Sequence, residues 1–111
     1  MKKFVVIYRQ PVSVMEQMKN ASPEDFKKGM EPWMIWVKKI GNALVDLGSP
    51  LGNVQKLTKS GSSPSKSDIS GYSILQAKNM DEAKKLLKGH PHLEWPAGSS
   101  IEVYESFPMP E

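Results

Sequence analysis

The two histidines of the chain, His90 and His92, stand either side of Pro91 in "LLKGHPHLEWPAGSSIEVYES", residues 86–106. A residue before proline is driven out of helical geometry toward extended backbone. In an extended segment the side-chain period is two, so both imidazoles project to one side. Three chemistries suit such a pair. The rings can hold a turn together, with His90 at the negative end of the preceding helix and His92 anchoring the loop by hydrogen bonds. They can serve a pocket as general acid and base or as hydrogen-bond donors, because imidazole titrates near neutral pH. Zinc or iron binding is the third use. It requires a further ligand, and Asp46, Glu94 and Glu102 are the carboxylates available for it.

Aromatic residues supply the material for a ligand wall. Trp33 falls on the apolar stripe of a helix and reads as core. Trp36 and Trp95 lie off obvious core positions and are candidates to touch a ligand. Tyr72 and Tyr104 sit on strands, with Gln76 and Glu102 as polar neighbours, and Glu94 follows the histidine turn. Small-molecule pockets have this mixture of apolar walls and a few placed polar groups. No nucleophile motif, phosphate-cradling glycine loop or dinucleotide fingerprint is present, so no organic cofactor is expected.

Composition narrows the class. A chain of 111 residues has room for one core, which predicts a single domain over 1–111. No run approaches the roughly 20 apolar residues of a membrane span. The opening "MKKFVVIYRQP" is too short in its apolar run for a secretory signal and reads as a strand. The chain has no cysteine, so it forms no disulfide or zinc–sulfur site, and a reducing cytoplasm is the expected setting. The net charge of +3 comes from lysines interspersed with acids, as in "PEDFKK" and "MDEAKK", and Arg9 is the one arginine. Nucleic-acid binders show a clustered basic stripe instead, so neither nucleic acid nor membrane is an expected partner.

These residues are positioned by an alternation of strands and helices. "KFVVIYR" (3–9) is apolar on both alternating faces, the mark of a central strand covered on both sides. From Ser22 the sequence "SPEDFKKGMEPWMIWVKKIGNALVDLG" opens with an N-cap, proline and two acids. Phe26, Met30, Trp33, Val37, Ile40 and Leu44 predict its buried stripe, and Pro32 predicts a kink or a two-piece helix. "NVQKLTK" (53–59) reads as a weak strand, "SGSSPSKSDIS" (60–70) as a mobile loop and "GYSILQA" (71–77) as a strong strand. "NMDEAKKLLKG" (79–89) is a short helix capped by Asn79 and closed by Gly89, and "SIEVYESF" (100–107) is the last strand. The order βαββαβ predicts an α+β, ferredoxin-like fold: a four-stranded antiparallel sheet with both helices on one face. Its other face would expose either Val5 and Ile7 or Phe4 and Tyr8. A homodimer pairing two such faces removes that patch from water.

The stretch "GYSILQAKNMDEAKKLLKGHPHLEWPAGSSIEVYESFPM", with "WMIWVKKIGNALVDLGSPL" before it, resembles the YCII-related family. The shared pattern is a Gly-aromatic strand, a "DEA" helix, a proline–histidine turn and a closing "IEV" strand. The resemblance implies a dimeric α+β barrel with a pocket in each subunit and cofactor-independent acid/base chemistry of lyase or isomerase type. The ligand would be an apolar or aromatic metabolite. A non-catalytic ligand-binding or interaction module of the same fold is the alternative. Some members carry an early-helix histidine paired with an aspartate. Residues 10–36 contain no histidine here and Asp46 is a loose match to the aspartate, so that pair does not carry over and catalysis would fall to His92 and His90 with Asp46 or Glu94 orienting them. An Asp-Gly-Pro-Phe motif of a second family line is replaced here by "KSDISGY".

Overall fold

The computed structural model describes the chain except for residues 12, 14, 15, 17, 18, 20, 95–97, 110 and 111. Its elements are β1 (Lys2–Arg9), α1 (Pro23–Ile40), β2 (Leu44–Asp46), β3 (Gln55–Thr58), β4 (Gly61–Pro64), β5 (Ile69–Ala77), α2 (Met80–Leu86) and β6 (Ser100–Ser106). Short 3₁₀ turns occupy Gly41–Ala43 and Pro91–Leu93. The main sheet runs β2-β5-β1-β6 and is antiparallel throughout, the strand order of the ferredoxin-like fold.

Alternation along β1 determines which side of the sheet is dry. Phe4, Val6 and Tyr8 are buried beneath the helices with Leu75 and Ala77 of β5 and Ala83 and Leu87 around α2. Val5 and Ile7 point the other way and are only half-buried. In register with them stand Ile74 and Tyr104 beside Val5, and Tyr72 and Glu102 beside Ile7.

The start of α1 follows its sequence signals. The Asp25 N–H donates to Ser22 Oγ at 3.1 Å and the Ser22 N–H donates to Asp25 Oδ2 at 3.0 Å, a reciprocal capping box. Three expectations need correction beyond that point. The helix is one continuous element through Pro32 rather than two pieces. Its buried side is Trp33, Trp36, Val37 and Ile40, because sheet and turn cover only its C-terminal half. Every residue from Pro23 to Pro32 is exposed, including Phe26 and Met30, which the periodicity placed in the core.

The helix also ends earlier than its apolar stripe. Gly41 adopts φ +54°, where side chains are disfavoured, and its N–H closes on the Val37 carbonyl. The chain then turns into β2, so the second strand of the sheet is Leu44–Asp46 rather than "NVQKLTK". That later segment does form a strand, β3, but it pairs with β4 in a separate hairpin within the expected 60–70 loop. Gly48 makes the return to β5 possible: at φ +78°, a Cβ there would stand 1.8 Å from the Tyr72 carbonyl oxygen. Among the described residues no helix is long and apolar enough to cross a membrane.

Candidate functional site

The histidine turn packs against the Tyr8 end of β1 and the C-terminal half of α1. Pro91 starts a single 3₁₀ turn, Pro91–Leu93, and His90 is its N-cap in extended backbone. His90 therefore caps the turn that follows it, where the sequence placed it at the end of the helix before it. The His92 backbone N–H donates to His90 Nδ1 at 3.0 Å. Accepting there puts the His90 proton on Nε2, which lies 3.3 Å from the Tyr8 hydroxyl. Tyr8 in turn donates to Ser73 Oγ at 2.8 Å, and Ser73 donates to the Leu47 carbonyl at 2.6 Å. Every donor in this buried chain runs the same way, from imidazole to phenol to hydroxyl to backbone carbonyl.

Aromatic rings enclose the chain. The His90 ring meets Trp33 edge-on at 4.5 Å and Trp36 at 4.3 Å, and Tyr8 stands 5.1 Å from both imidazoles. Trp36, which the sequence placed off the core, is itself buried, and its indole N–H donates to the Leu86 carbonyl at 2.9 Å. His92 Nε2 donates to the Arg9 carbonyl at 2.8 Å, so the turn is tied to the end of β1.

Burial sets the protonation states. His90 is fully buried and His92 nearly so. Loss of solvation, with the neighbouring His92, brings His90 down to about 4. Burial lowers His92 also, against the backbone groups of Arg9 and Ser100 that favour its charged form. Tyr8 is pushed up to about 12 by burial, partly offset by its bond to Ser73. At neutral pH the cluster therefore holds two neutral imidazoles and a neutral phenol.

Other candidates lie elsewhere. Asp46 is exposed and its Oδ1 accepts the Gly48 N–H at 2.8 Å, closing the turn after β2, so it does not orient either histidine. Tyr72 and Tyr104 stand on the open face of the sheet, opposite to Tyr8 and the imidazoles, because they share the register positions of Ile7 and Val5. Glu102 is on that face too and accepts from Arg9 at 2.8 Å; Asp68 is the second carboxylate on the guanidinium. Together they raise the Arg9 pKa further above its ordinary value, so it stays a cation. Trp95 lies outside the described residues. Among the described residues no group of three or more His, Cys, Asp or Glu side chains is placed to hold a metal ion. Of the carboxylates considered as a third ligand, Asp46 closes its own turn and Glu102 is paired with Arg9.

Beside the turn a cleft of about 600 Å³ opens between α1 and residues 89–94. Pro32, Trp33, Ile35 and Trp36 form its helix wall, Gly89, Pro91 and Glu94 its turn wall, and Lys28, Gly29 and Lys39 complete it. Of the candidate residues, Trp36 and Glu94 meet here. His90 and His92 are not among the lining residues; Trp33 and Trp36, which are, pack edge-on against the His90 ring. Sequence reasoning missed Tyr8 and Ser73. The signal for Ser73 was a serine of core parity with Leu75 and Ala77 in its strand, and for Tyr8 its parity with Phe4 and Val6.

No protein-family model and no curated protein sequence matches the chain. Among solved structures it is similar to 5-chloro-2-hydroxyhydroquinone dehydrochlorinase from Burkholderia phenoliruptrix, in complex with 2,5-dihydroxybenzoquinone. That likeness covers 90% of each chain at 14% identity and a TM-score of 0.47, a level at which none of that enzyme's chemistry transfers.

Proposed function

We propose that this protein binds a small apolar or aromatic metabolite in the cleft between α1 and the histidine turn, as a homodimer of cytoplasmic setting. The observation that carries the reading is the make-up of that cleft. Its walls are tryptophan and proline, while the two imidazoles lie behind them with their hydrogen bonds already made. Such walls recognise flat apolar surface. A group that performs proton transfer must reach the reacting atom, within about 2.6–3.2 Å or through one water. His90, His92 and Tyr8 are too deeply buried to do so unless the turn opens. The geometry therefore favours a ligand-binding module of the YCII-related kind over a catalyst.

The enzyme reading rests on a different observation, the one-way hydrogen-bond chain from His90 through Tyr8 to Ser73. If the turn opens with a ligand in place, a neutral His92 is poised to accept a proton, and a lyase or isomerase step asks for little more. Titrating the protein with 2-naphthol while recording amide shifts separates these readings. Shifts confined to residues 32–39 and 89–94, with no turnover of candidate metabolites, support binding alone. Turnover with a histidine-like ionisation in its pH profile supports the enzyme. Shifts on the open sheet face instead would move the site to Tyr72 and Tyr104.

A further inference from the structure

Gly29 occupies the interior of α1, where glycine is destabilising relative to alanine because it adds backbone entropy to the unfolded chain. Among the described residues no heavy atom stands within 4 Å of a Cβ built at this position, and its φ is not in the left-handed region. The glycine nevertheless lines the cleft. A small residue that leaves open space at a cleft wall, with no close neighbour among the described residues, suits an occupant that approaches the helix backbone.

The polar groups around the cleft narrow what that occupant is. The Trp36 indole N–H is already bonded to the Leu86 carbonyl and the ring is buried, so it offers the cleft no donor and only an edge, and the half-buried Trp33 supplies the aromatic surface. Among the described residues the charged groups on the lining are Lys28, Lys39 and Glu94, two cations against one anion. Both lysines are on α1, eleven residues apart, or about 16 Å along the axis. Each has a flexible four-carbon stem able to bend over the opening. We infer that the cleft selects an aromatic carboxylate: a flat ring system against Trp33, over Gly29, with its carboxylate on the ammonium of Lys28 or Lys39. This inference rests on the cleft being the binding site and adds the charge and shape of what it takes.

Calorimetric titration of the full-length protein with 2-naphthoate, and separately with its neutral methyl ester, tests it. One naphthoate per chain is expected, with the ester weaker by about fivefold or more, the scale of a partly exposed charge-assisted contact. Lys28→Gln or Lys39→Gln should erase that preference. Gly29→Phe should abolish binding of both compounds. Gly29→Ala, which adds a methyl group to open space, should raise the unfolding midpoint, verifying that the glycine is retained against stability. Equal affinity for acid and ester, blocked by Gly29→Phe, would overturn the carboxylate inference and leave the cleft as the binding site. Binding that survives in a folded Gly29→Phe protein, or no binding of either compound, overturns the cleft reading as well.

Discussion

The backbone N–H of His92 donates to Nδ1 of His90 at 3.0 Å, and that one bond fixes the tautomer of a ring buried among Tyr8, Trp33 and Trp36. With Nδ1 accepting, Nε2 carries the proton and faces the tyrosine hydroxyl. The same imidazole is both the N-cap of the 90–94 turn and the filling of the core behind the cleft.

The two histidines are accordingly expected to differ in their effect on stability. His90→Ala removes a fully buried ring, the cap acceptor and the partner of Tyr8, which costs about 2–4 kcal/mol on the scale of large-to-small core changes. His92→Ala loses the bond to the Arg9 carbonyl and costs about 1–2 kcal/mol. Urea unfolding of both variants checks the order. Equal and negligible losses would mean that the turn does not hold the core.

Acid should destabilise the protein in a defined window. Both imidazoles have folded-state pKa values below the unfolded value, His90 at about 4 against 6.5, so the unfolded chain binds protons first as pH falls. Their contribution to stability is fully present above about pH 6.5 and is lost as pH falls toward 4. Histidine ring-proton NMR titration is the direct measurement, and a His90 midpoint near 6.5 would contradict the buried neutral ring.

At the alkaline end Tyr8 acts with the opposite sign. Its folded pKa of about 12 lies above the ordinary 10, so its contribution is complete below pH 10 and is lost as pH rises toward 12. Tyr8→Phe should flatten that alkaline decline and lower neutral-pH stability by about 1 kcal/mol, the worth of the bond to Ser73. Unfolding curves at pH 8 and 11 for the two proteins test both parts.

The open sheet face, with Val5, Ile7, Tyr72, Ile74 and Tyr104, should be the contact between two copies of the chain. Light scattering at micromolar concentration is expected to give twice the chain mass, and Ile7→Glu to give the monomer. A native chain that is monomeric under those conditions removes this use of the face.

Hydrogen exchange should rank the β3–β4 hairpin far below β1 and β5. Every residue of the hairpin is exposed and only two strands share its bonds, an arrangement that is marginal in water. Protection equal to that of β1 would require a partner covering the hairpin.

By itself the sequence determined β1, β5 and β6 and the caps that start both helices. Ser22 with Asp25, Asn79 with Glu82 and the apolar alternation of β1 and β5 are local signals, read within one or two turns of chain. Only the tertiary structure decided which side of each element is dry. Helical period allowed the stripe through Phe26 and Met30, but sheet and turn reach only as far as Trp33, so Trp36 is core and Phe26 is not. The strand at Leu44–Asp46 was hidden for a related reason: its apolar residues continue the helical spacing, and its pairing with Leu75 and Ile74 is a contact across about thirty residues. Most of the site depended on such distant contacts. His90 and His92 are neighbours in sequence, yet Tyr8 and Ser73 come to them from other strands, and Tyr72 and Tyr104 fall on the far face because strand parity, rather than residue type, assigns a side.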